Sequence, residues 1–236
     1  MIKEALQYIV GLSEAHVQEI HGHTYADKMM HRVDEYYPQA EPIRINTLSG
    51  LVEYIKSGID TMPEMIVEVS GPTRVCLYSQ LNPNRERETL MIADARIPDI
   101  PFNQFIGQES FCIGLQSMFE HTDDLDLLKK FAGTVEAGTV AEYGDNGVSQ
   151  KATIRQGIAS KAEAIVPNPV RLKPYRSFLE VEQAESSFVF RMKEYDGIRC
   201  GLYEADGGAW KLDAMQKIKA YLEQQLEGIG GFTIIA

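Results

Sequence analysis

The chain has 236 residues, of which 44% are hydrophobic and 24% charged, a composition that is ordinary for a soluble globular protein. This length allows a substantial core in one large domain or two small ones. With 23 Lys and Arg against 34 Asp and Glu, the net charge of −11 opposes general binding to DNA or to an anionic membrane, although a local basic surface can still bind an anion.

Cysteine usage and hydropathy favour a cytoplasmic protein. Cys76, Cys112 and Cys200 are odd in number, far apart and each in an apolar context, which favours buried thiols in a reducing compartment over a disulfide or a metal site. No apolar run approaches the roughly 20 residues that span a bilayer. The first five residues lack the apolar region of a secretory signal, so the sequence predicts no membrane partner.

The first 42 residues are predicted to form a helix followed by an extended arm. Apolar residues recur at roughly helical spacing over residues 2–20, although Gly11 weakens this helix. The HGHT sequence at residues 21–24 breaks it, and residues 24–37 favour a short extended or hairpin segment.

The following segment switches from helical to strand signals. Thr47 is the expected N-cap of a short helix that ends near Gly58. β-rich runs follow at residues 65–69, 74–78 and 89–93. The loops between these runs are too short to house a crossover, which predicts an antiparallel meander.

Two helices and a series of strands are expected next. One helix runs from about residue 108 to 120, and a second starts at a Thr122 cap and continues to Phe131. Strand signals resume after Gly133, and a GDNG turn at residues 144–147 closes a predicted hairpin. The predicted strands cover residues 135–143, 148–158, 162–166, 171–181, 187–193 and 198–204.

The C-terminal region is predicted to form a helix and an apolar tail. The helix covers residues 208–226, with a broad apolar face that consists of Leu212, Met215, Ile218, Leu222 and Leu226. The tail at residues 228–236 is Gly-rich and then apolar, so we expect it to be frayed or docked against a neighbour.

These elements predict a single α+β domain over residues 1–236. Its architecture is an antiparallel β meander or sandwich with N-terminal, central and C-terminal helices packed on it. The parts are an N-terminal helix and extended arm at residues 1–42, a core at residues 43–227 and the apolar tail at residues 228–236.

One segment is basic in this acidic chain. Residues 147–182 carry six Lys or Arg against three Glu. Within this segment Arg171, Lys173 and Arg176 flank Tyr175, and such interleaving of cations with an aromatic ring can hold a phosphate while a base stacks. These four residues are the predicted ligand-binding site. The alternative interpretation is a charged edge strand, in which Lys and Arg prevent edge-to-edge aggregation.

No catalytic or cofactor motif accompanies this segment. We therefore predict no catalytic residues and no cofactor, and we favour a protein that is not an enzyme. The one metal arrangement to consider is His21 and His23, whose rings would share one face of a strand, with Asp27 as a possible oxygen ligand. No third ligand stands at a recognisable spacing, so a polar loop is the favoured interpretation.

Short sequence matches along residues 43–225 resemble an uncharacterised phage and prophage protein family typified by the prophage protein YfdQ. The matching stretches are INTLSGLVEYI at residues 45–55, DNGVSQ at 145–150, Pro167, LKPYRSF at 172–178 and FVFRM at 188–192. The resemblance implies a virus-encoded accessory protein in the cytoplasm of a bacterial host. It carries no catalytic residues over, and the His-containing segment and the Gly-rich tail lie outside it.

The first functional hypothesis is a non-enzymatic phage accessory protein that self-assembles into a homo-oligomer. In this role it would bind or sequester a host protein or a small anionic ligand. The alternative is a nucleic-acid-binding accessory protein in phage recombination or replication, which the acidic net charge disfavours. A third hypothesis is a hydrolase or nuclease, for which His21 and His23 supply the only metal arrangement in the sequence.

Overall fold

The computed structural model describes residues 2–11, 15–28, 39–60, 63–140, 151–156, 160–165 and 168–236. The chain divides into two compact units, Met1–Gln39 and Ala40–Ala236. Over the described residues it forms α-helices together with antiparallel and mixed sheets, which confirms the predicted α+β class.

The elements follow one another along the chain in a mixed order of helices and strands. They are α1 (Ile2–Gly11), β1 (Val17–Ile20), β2 (His23–Ala26), β3 (Ile43–Ile45), α2 (Leu48–Ser57), β4 (Met65–Gly71), β5 (Arg74–Tyr78), β6 (Thr89–Asp94), β7 (Ile106–Gly107), α3 (Gln108–Ser117), β8 (Phe119–Glu120), α4 (Asp123–Thr134), β9 (Val135–Val140), β10 (Lys151–Gln156), β11 (Ser160–Ile165), β12 (Val170–Pro174), β13 (Ser186–Glu194), β14 (Ile198–Glu204), α5 (Trp210–Gln225) and β15 (Phe232–Ile235).

The N-terminal unit differs from the single helix predicted over residues 2–20. Helix α1 ends at Gly11, and β1 and β2 form an antiparallel hairpin. The turn between them is His21 and Gly22, whose φ angles of 51° and 77° match the left-handed conformation that two-residue hairpin turns require. The helical prediction was wrong beyond Gly11 because a glycine favours helix termination and this turn favours a hairpin.

The first sheet has the strand order β15-β4-β5-β6-β3. Strands β4, β5 and β6 pair antiparallel, which confirms the predicted meander. Strands β3 and β15 add to its two sides in parallel with β6 and β4. Helices α2 and α5 pack on this sheet and complete the first hydrophobic core.

The C-terminal tail is part of this sheet. Residues Phe232–Ile235 form β15, and the backbone N–H of Met65 donates to the carbonyl oxygen of Gly231 at 2.9 Å. The expectation of a frayed or neighbour-docked tail was therefore wrong. The half-buried Phe232 and Ile234 pack against the first core, which explains why the tail is apolar.

The second sheet has the order β7-β14-β13-β12-β8, and β11, β10 and β9 form a third, three-stranded sheet. Helices α3 and α4 cover one face of the second sheet and form the second hydrophobic core with it. The predicted GDNG turn at residues 144–147 lies outside the described residues.

Two helix starts agree with the capping signals in the sequence. The Thr47 hydroxyl accepts from the N–H of Gly50 at 3.2 Å, and the Thr122 hydroxyl accepts from the N–H of Leu125 at 3.1 Å. Helix α2 is followed by Gly58 in the left-handed conformation, as expected. Helix α3 ends at Ser117, before the predicted residue 120, because β8 pairs with β12.

The C-terminal helix buries a narrower face than predicted. Ala214, Ile218 and Leu222 are buried along one stripe, whereas Leu212 is 64% exposed. Leu212 and Ile218 are six positions apart along the helix, which places their side chains about 120° apart around it. Leu212 therefore lies outside the contact with the first sheet.

Candidate functional site at the junction of the two sheets

The predicted ligand-binding residues lie on β12 and directly after it, but they do not share one surface. Along β12, buried residues alternate with Arg171 and Lys173, so these two cations point away from the second core. Arg176 follows the strand and is only 5% exposed. The strand alternation therefore separates Arg176 from the other two cations.

Arg176 is enclosed by aromatic rings. The carbon of its guanidinium lies 3.8 Å from the centre of the Trp210 ring, and the rings of Phe102 and Phe188 lie 5.7 and 5.6 Å away. One guanidinium nitrogen, Nη1, donates to Glu204 at 2.6 Å. Stacking of a planar guanidinium on an aromatic face combines cation–π attraction with apolar packing. This arrangement joins α5 to β14.

The electrostatics of this enclosure are those of a structural ion pair. Burial lowers the pKa of Arg176 to about 10, and Glu204 and Asp206 oppose that effect. Burial raises the pKa of Asp206, but hydrogen bonds from Ser186 and from the backbone of Gly208 outweigh it and leave the pKa below its usual 3.8. Both groups are therefore charged at neutral pH.

The other two cations have carboxylate partners. Lys173 forms an ion pair with Glu182, and this hydrogen bond raises the pKa of Lys173. The guanidinium of Arg171 lies 3.3 Å from Glu185. The half-buried Tyr175 donates its backbone N–H to Met118. Arg171, Lys173 and Arg176 therefore each have a carboxylate partner, with which an anionic ligand at these residues would compete.

The edge-protection interpretation is wrong for β12. This strand pairs with β13 on one side and with β8 on the other, so it is not an edge of the second sheet. Of the basic residues in the segment, Lys161 does lie on an edge strand, β11. The positive charges of Arg171 and Lys173 have another structural role, because their carboxylate partners lie in the loop that follows β12.

The loop of residues 175–185 holds the two sheets together. Gln183 accepts from the backbone N–H groups of Arg176 and Ser177, and its amide donates to the carbonyl of Phe178. The Ser177 hydroxyl donates to the carbonyl of Pro72 in the β4–β5 turn at 2.6 Å. Phe178 itself is buried in the first core. We call this loop the clamp.

The clamp also caps a helix of the first sheet. A carboxylate oxygen of Glu180 accepts from the N–H of Leu48 at 2.8 Å and from the N–H of Ser49 at 3.3 Å. A carboxylate is favoured there because the N-terminus of a helix carries partial positive charge. Residues 45–55 and 172–178, two of the stretches that carry the phage-family resemblance, therefore belong to segments that meet through the clamp.

The two histidines of the alternative metal site lie in the N-terminal hairpin. His21 belongs to its turn and His23 begins β2, so they do not alternate along one strand as the metal hypothesis required. Both are exposed. Asp27 accepts from the backbone N–H of His16 at 2.8 Å. Among the residues that the structure describes, no group of three or more His, Cys, Asp or Glu is placed to hold a metal ion.

A cavity of about 150 Å³ lies beside α2 and β6, at a place the sequence did not indicate. Its lining includes Glu41, Tyr54, Asp60 and Glu88. The Tyr54 hydroxyl donates to Asp60 at 3.0 Å, and burial together with this carboxylate raises the pKa of Tyr54 to about 12. Because carboxylates line it, this cavity is unsuited to the small anionic ligand of the first hypothesis.

Comparisons with protein-family models, with curated proteins and with solved structures found no match to this chain. None of the helices in the described part of the chain is long and apolar enough to cross a membrane.

Proposed function

We propose that the chain is a phage-encoded accessory protein without enzymatic activity that acts as a homo-oligomer. The observation that carries the assembly proposal is the exposed apolar surface of the N-terminal unit. Helix α1 has no buried residue, and its apolar stripe consists of Ile2, Leu6, Ile9 and Val10, each at least 56% exposed. The phage origin rests on the sequence resemblance.

The low stability that α1 would have on its own supports the proposal that a partner packs on this stripe. A ten-residue helix is marginal in water without tertiary packing, and a two-stranded hairpin such as β1–β2 is marginal as well. The stripe of one copy can pack on the same stripe of another, because Lys3 and Glu4 leave α1 with no net charge. Two copies with a net charge of −11 can approach there without local repulsion.

The assembly proposal is tested by the mass of the full-length chain in solution. We expect the wild type to be an oligomer in size-exclusion chromatography with light scattering. Leu6→Gln combined with Ile9→Gln should shift it towards the monomer, because the two substitutions remove the centre of the stripe. Gln7→Ala, on the polar side of the same helix, is the control and should leave the mass unchanged, because it keeps both the stripe and the charge balance of α1. A monomeric wild type would refute the proposal.

The ligand of such an oligomer is a separate question. The hypothesis of a host protein or a small anionic ligand is tested by mass spectrometry of whatever co-purifies with the full-length chain. For the alternative role in nucleic-acid binding, Arg171, Lys173 and Arg176 are the less favourable cations, since a phosphate would have to compete with the carboxylate that each of them already contacts.

A further inference from the structure

On the side opposite its core, the second sheet carries basic side chains, of which Lys193 is exposed and Arg191 and Arg199 are half-buried. Strands β13 and β14 alternate buried residues with residues that point outwards. We call this side the outer face. On β13 and β14 it carries Arg191, Lys193, Arg199 and Tyr203, and no carboxylate alternates with them on these strands.

Two of these cations oppose each other directly. Lys193 and Arg199 are partners in the antiparallel register of β13 and β14. Like charges directly opposite each other on a sheet destabilise the pair. Within the described residues neither cation forms an ion pair, although Arg171, Lys173 and Arg176 all do. Glu194 is the next residue after Lys193 and so lies on the opposite side of the strand.

The ring of Phe105 contacts one member of this pair, and the backbone of Tyr195 contacts the other. The ammonium group of Lys193 lies 4.3 Å from the centre of the Phe105 ring, and that ring packs edge-on against Tyr203 at 5.7 Å. The guanidinium of Arg199 donates to the carbonyl of Tyr195, whose side chain is 72% exposed at the tip of the hairpin. The cation–π contact holds Lys193 in place beside Arg199 and leaves the positive charge of both groups intact.

We infer that the outer face binds single-stranded nucleic acid, with phosphates at Lys193 and Arg199 and an unpaired base on the exposed Tyr195. Two opposed cations with no carboxylate partner suit a phosphate, which neutralises their mutual repulsion. An exposed aromatic ring beside a cationic groove is the combination that binds single strands with little sequence preference, whereas the bases of a duplex are stacked and inaccessible. This inference goes beyond the assembly proposal and does not depend on it.

The acidic body of the protein limits the contact to this small face. Only a few phosphates can be neutralised, so the slope of log K against log salt should be shallow, at about −1.4 for two phosphates. A binding site spread over the whole basic segment would give a steeper slope. The salt dependence therefore reports the size of the contact as well as its existence.

The test is binding of full-length protein to fluorescein-labelled oligo-dT, measured by fluorescence anisotropy at low salt. Replacing both cations, with Lys193→Gln and Arg199→Gln, should weaken binding about tenfold or more, because two phosphate contacts are lost. The matched control replaces the same residue types on the same face, with Arg171→Gln and Lys173→Gln. It should leave binding nearly unchanged, because those cations already pair with carboxylates.

Further variants separate this inference from a general charge effect. Tyr195→Leu should weaken binding about fivefold or more through lost stacking, without a change in the salt slope. Competition by unlabelled duplex should be at least tenfold weaker than by unlabelled oligo-dT. The inference is overturned if the wild type does not bind, if duplex competes equally, or if both double variants lose binding to the same extent. Unchanged circular dichroism of the variants excludes misfolding as the cause.

Discussion

At the residue scale, Arg176 has a different role from the one its sequence context suggests. Its neighbours Arg171 and Lys173 pair with carboxylates near the surface, whereas its own guanidinium lies against Trp210 inside the protein. A charge in such a position is stabilised only while its partners remain, so removal of one member is costly. The residue is therefore a determinant of stability, and we expect its substitution to act on folding rather than on ligand binding.

We predict that Arg176→Met lowers the free energy of unfolding by about 2 kcal/mol, because Ser186 and Glu204 lose a charged hydrogen-bond partner. Methionine keeps the apolar packing against Trp210, so the loss reports mainly the polar contacts. Urea unfolding curves that are monitored by the fluorescence of Trp210, the single tryptophan, measure this loss of stability. Glu204→Gln combined with Arg176→Met should recover part of the loss; a double variant that is as unstable as the sum of its parts contradicts this coupling.

At the element scale, helix termini are where local sequence and distant contacts combine. Helix α4 starts with a cap from its own chain neighbour, Thr122, and that start was predicted correctly. Helix α2 has a local cap in Thr47 and a second one from Glu180, which is 132 residues away from Leu48. Sequence reasoning identified the local cap and missed the distant one, because only the fold brings the clamp to this helix.

At the same scale, the ionised side chain of Asp206 leads to a prediction about how stability depends on pH. It accepts from the N–H of Gly208 just before α5, and its pKa is lower in the folded chain than the usual 3.8. A carboxyl group with a depressed pKa contributes stability that is present above about pH 4 and is lost as the pH falls through its folded value. We therefore expect Asp206→Asn to cost about 1 kcal/mol at pH 7 and progressively less below pH 4.

The control for this prediction is Asp213→Asn. Asp213 also lies at the start of α5, but its ion pair with Lys217 is half-exposed, so its loss should cost less than about 0.5 kcal/mol. Urea unfolding curves at pH 7 and at pH 3 compare the two variants. If Asp206→Asn and the wild type differ by the same amount at both pH values, the ionised carboxylate is not the stabilising group.

Strand alternation explains which parts of the basic site were predictable. The even and odd positions of residues 170–176 already place Arg176 opposite Arg171 and Lys173, so the separation of the predicted set was visible in the sequence. The same alternation over residues 187–193 and 198–204 would have indicated the outer face with Lys193 and Arg199. Their direct opposition was not predictable, because it depends on the register that the turn at Asp196 and Gly197 imposes.

At the scale of the whole molecule, the described residues of the unit Ala40–Ala236 form two hydrophobic cores, whereas the sequence predicts a single core region. The meander, α2 and α5 supply the first core, and β12, β13, β14, α3 and α4 supply the second. The clamp contributes Phe178 to the first core, and Arg176 at its start contacts Phe188 in the second. Two cores unfold together only if the contacts between them transmit the loss of one to the other, and the clamp supplies several of these contacts.

We predict that the two cores unfold in a single transition and that Phe178→Ala shifts it as a whole. Phe178 is 1% exposed, so its truncation should lower the free energy of unfolding by about 3 to 5 kcal/mol. Trp210 fluorescence reports the Arg176 enclosure, and far-ultraviolet circular dichroism reports both sheets. Both signals should move to the same lower urea midpoint.

The control is Leu179→Ala, at a neighbouring position that is 71% exposed, which should leave both midpoints unchanged. A dichroism curve that splits into two steps while the Trp210 midpoint stays fixed would mean that the cores are independent and that the clamp only links them.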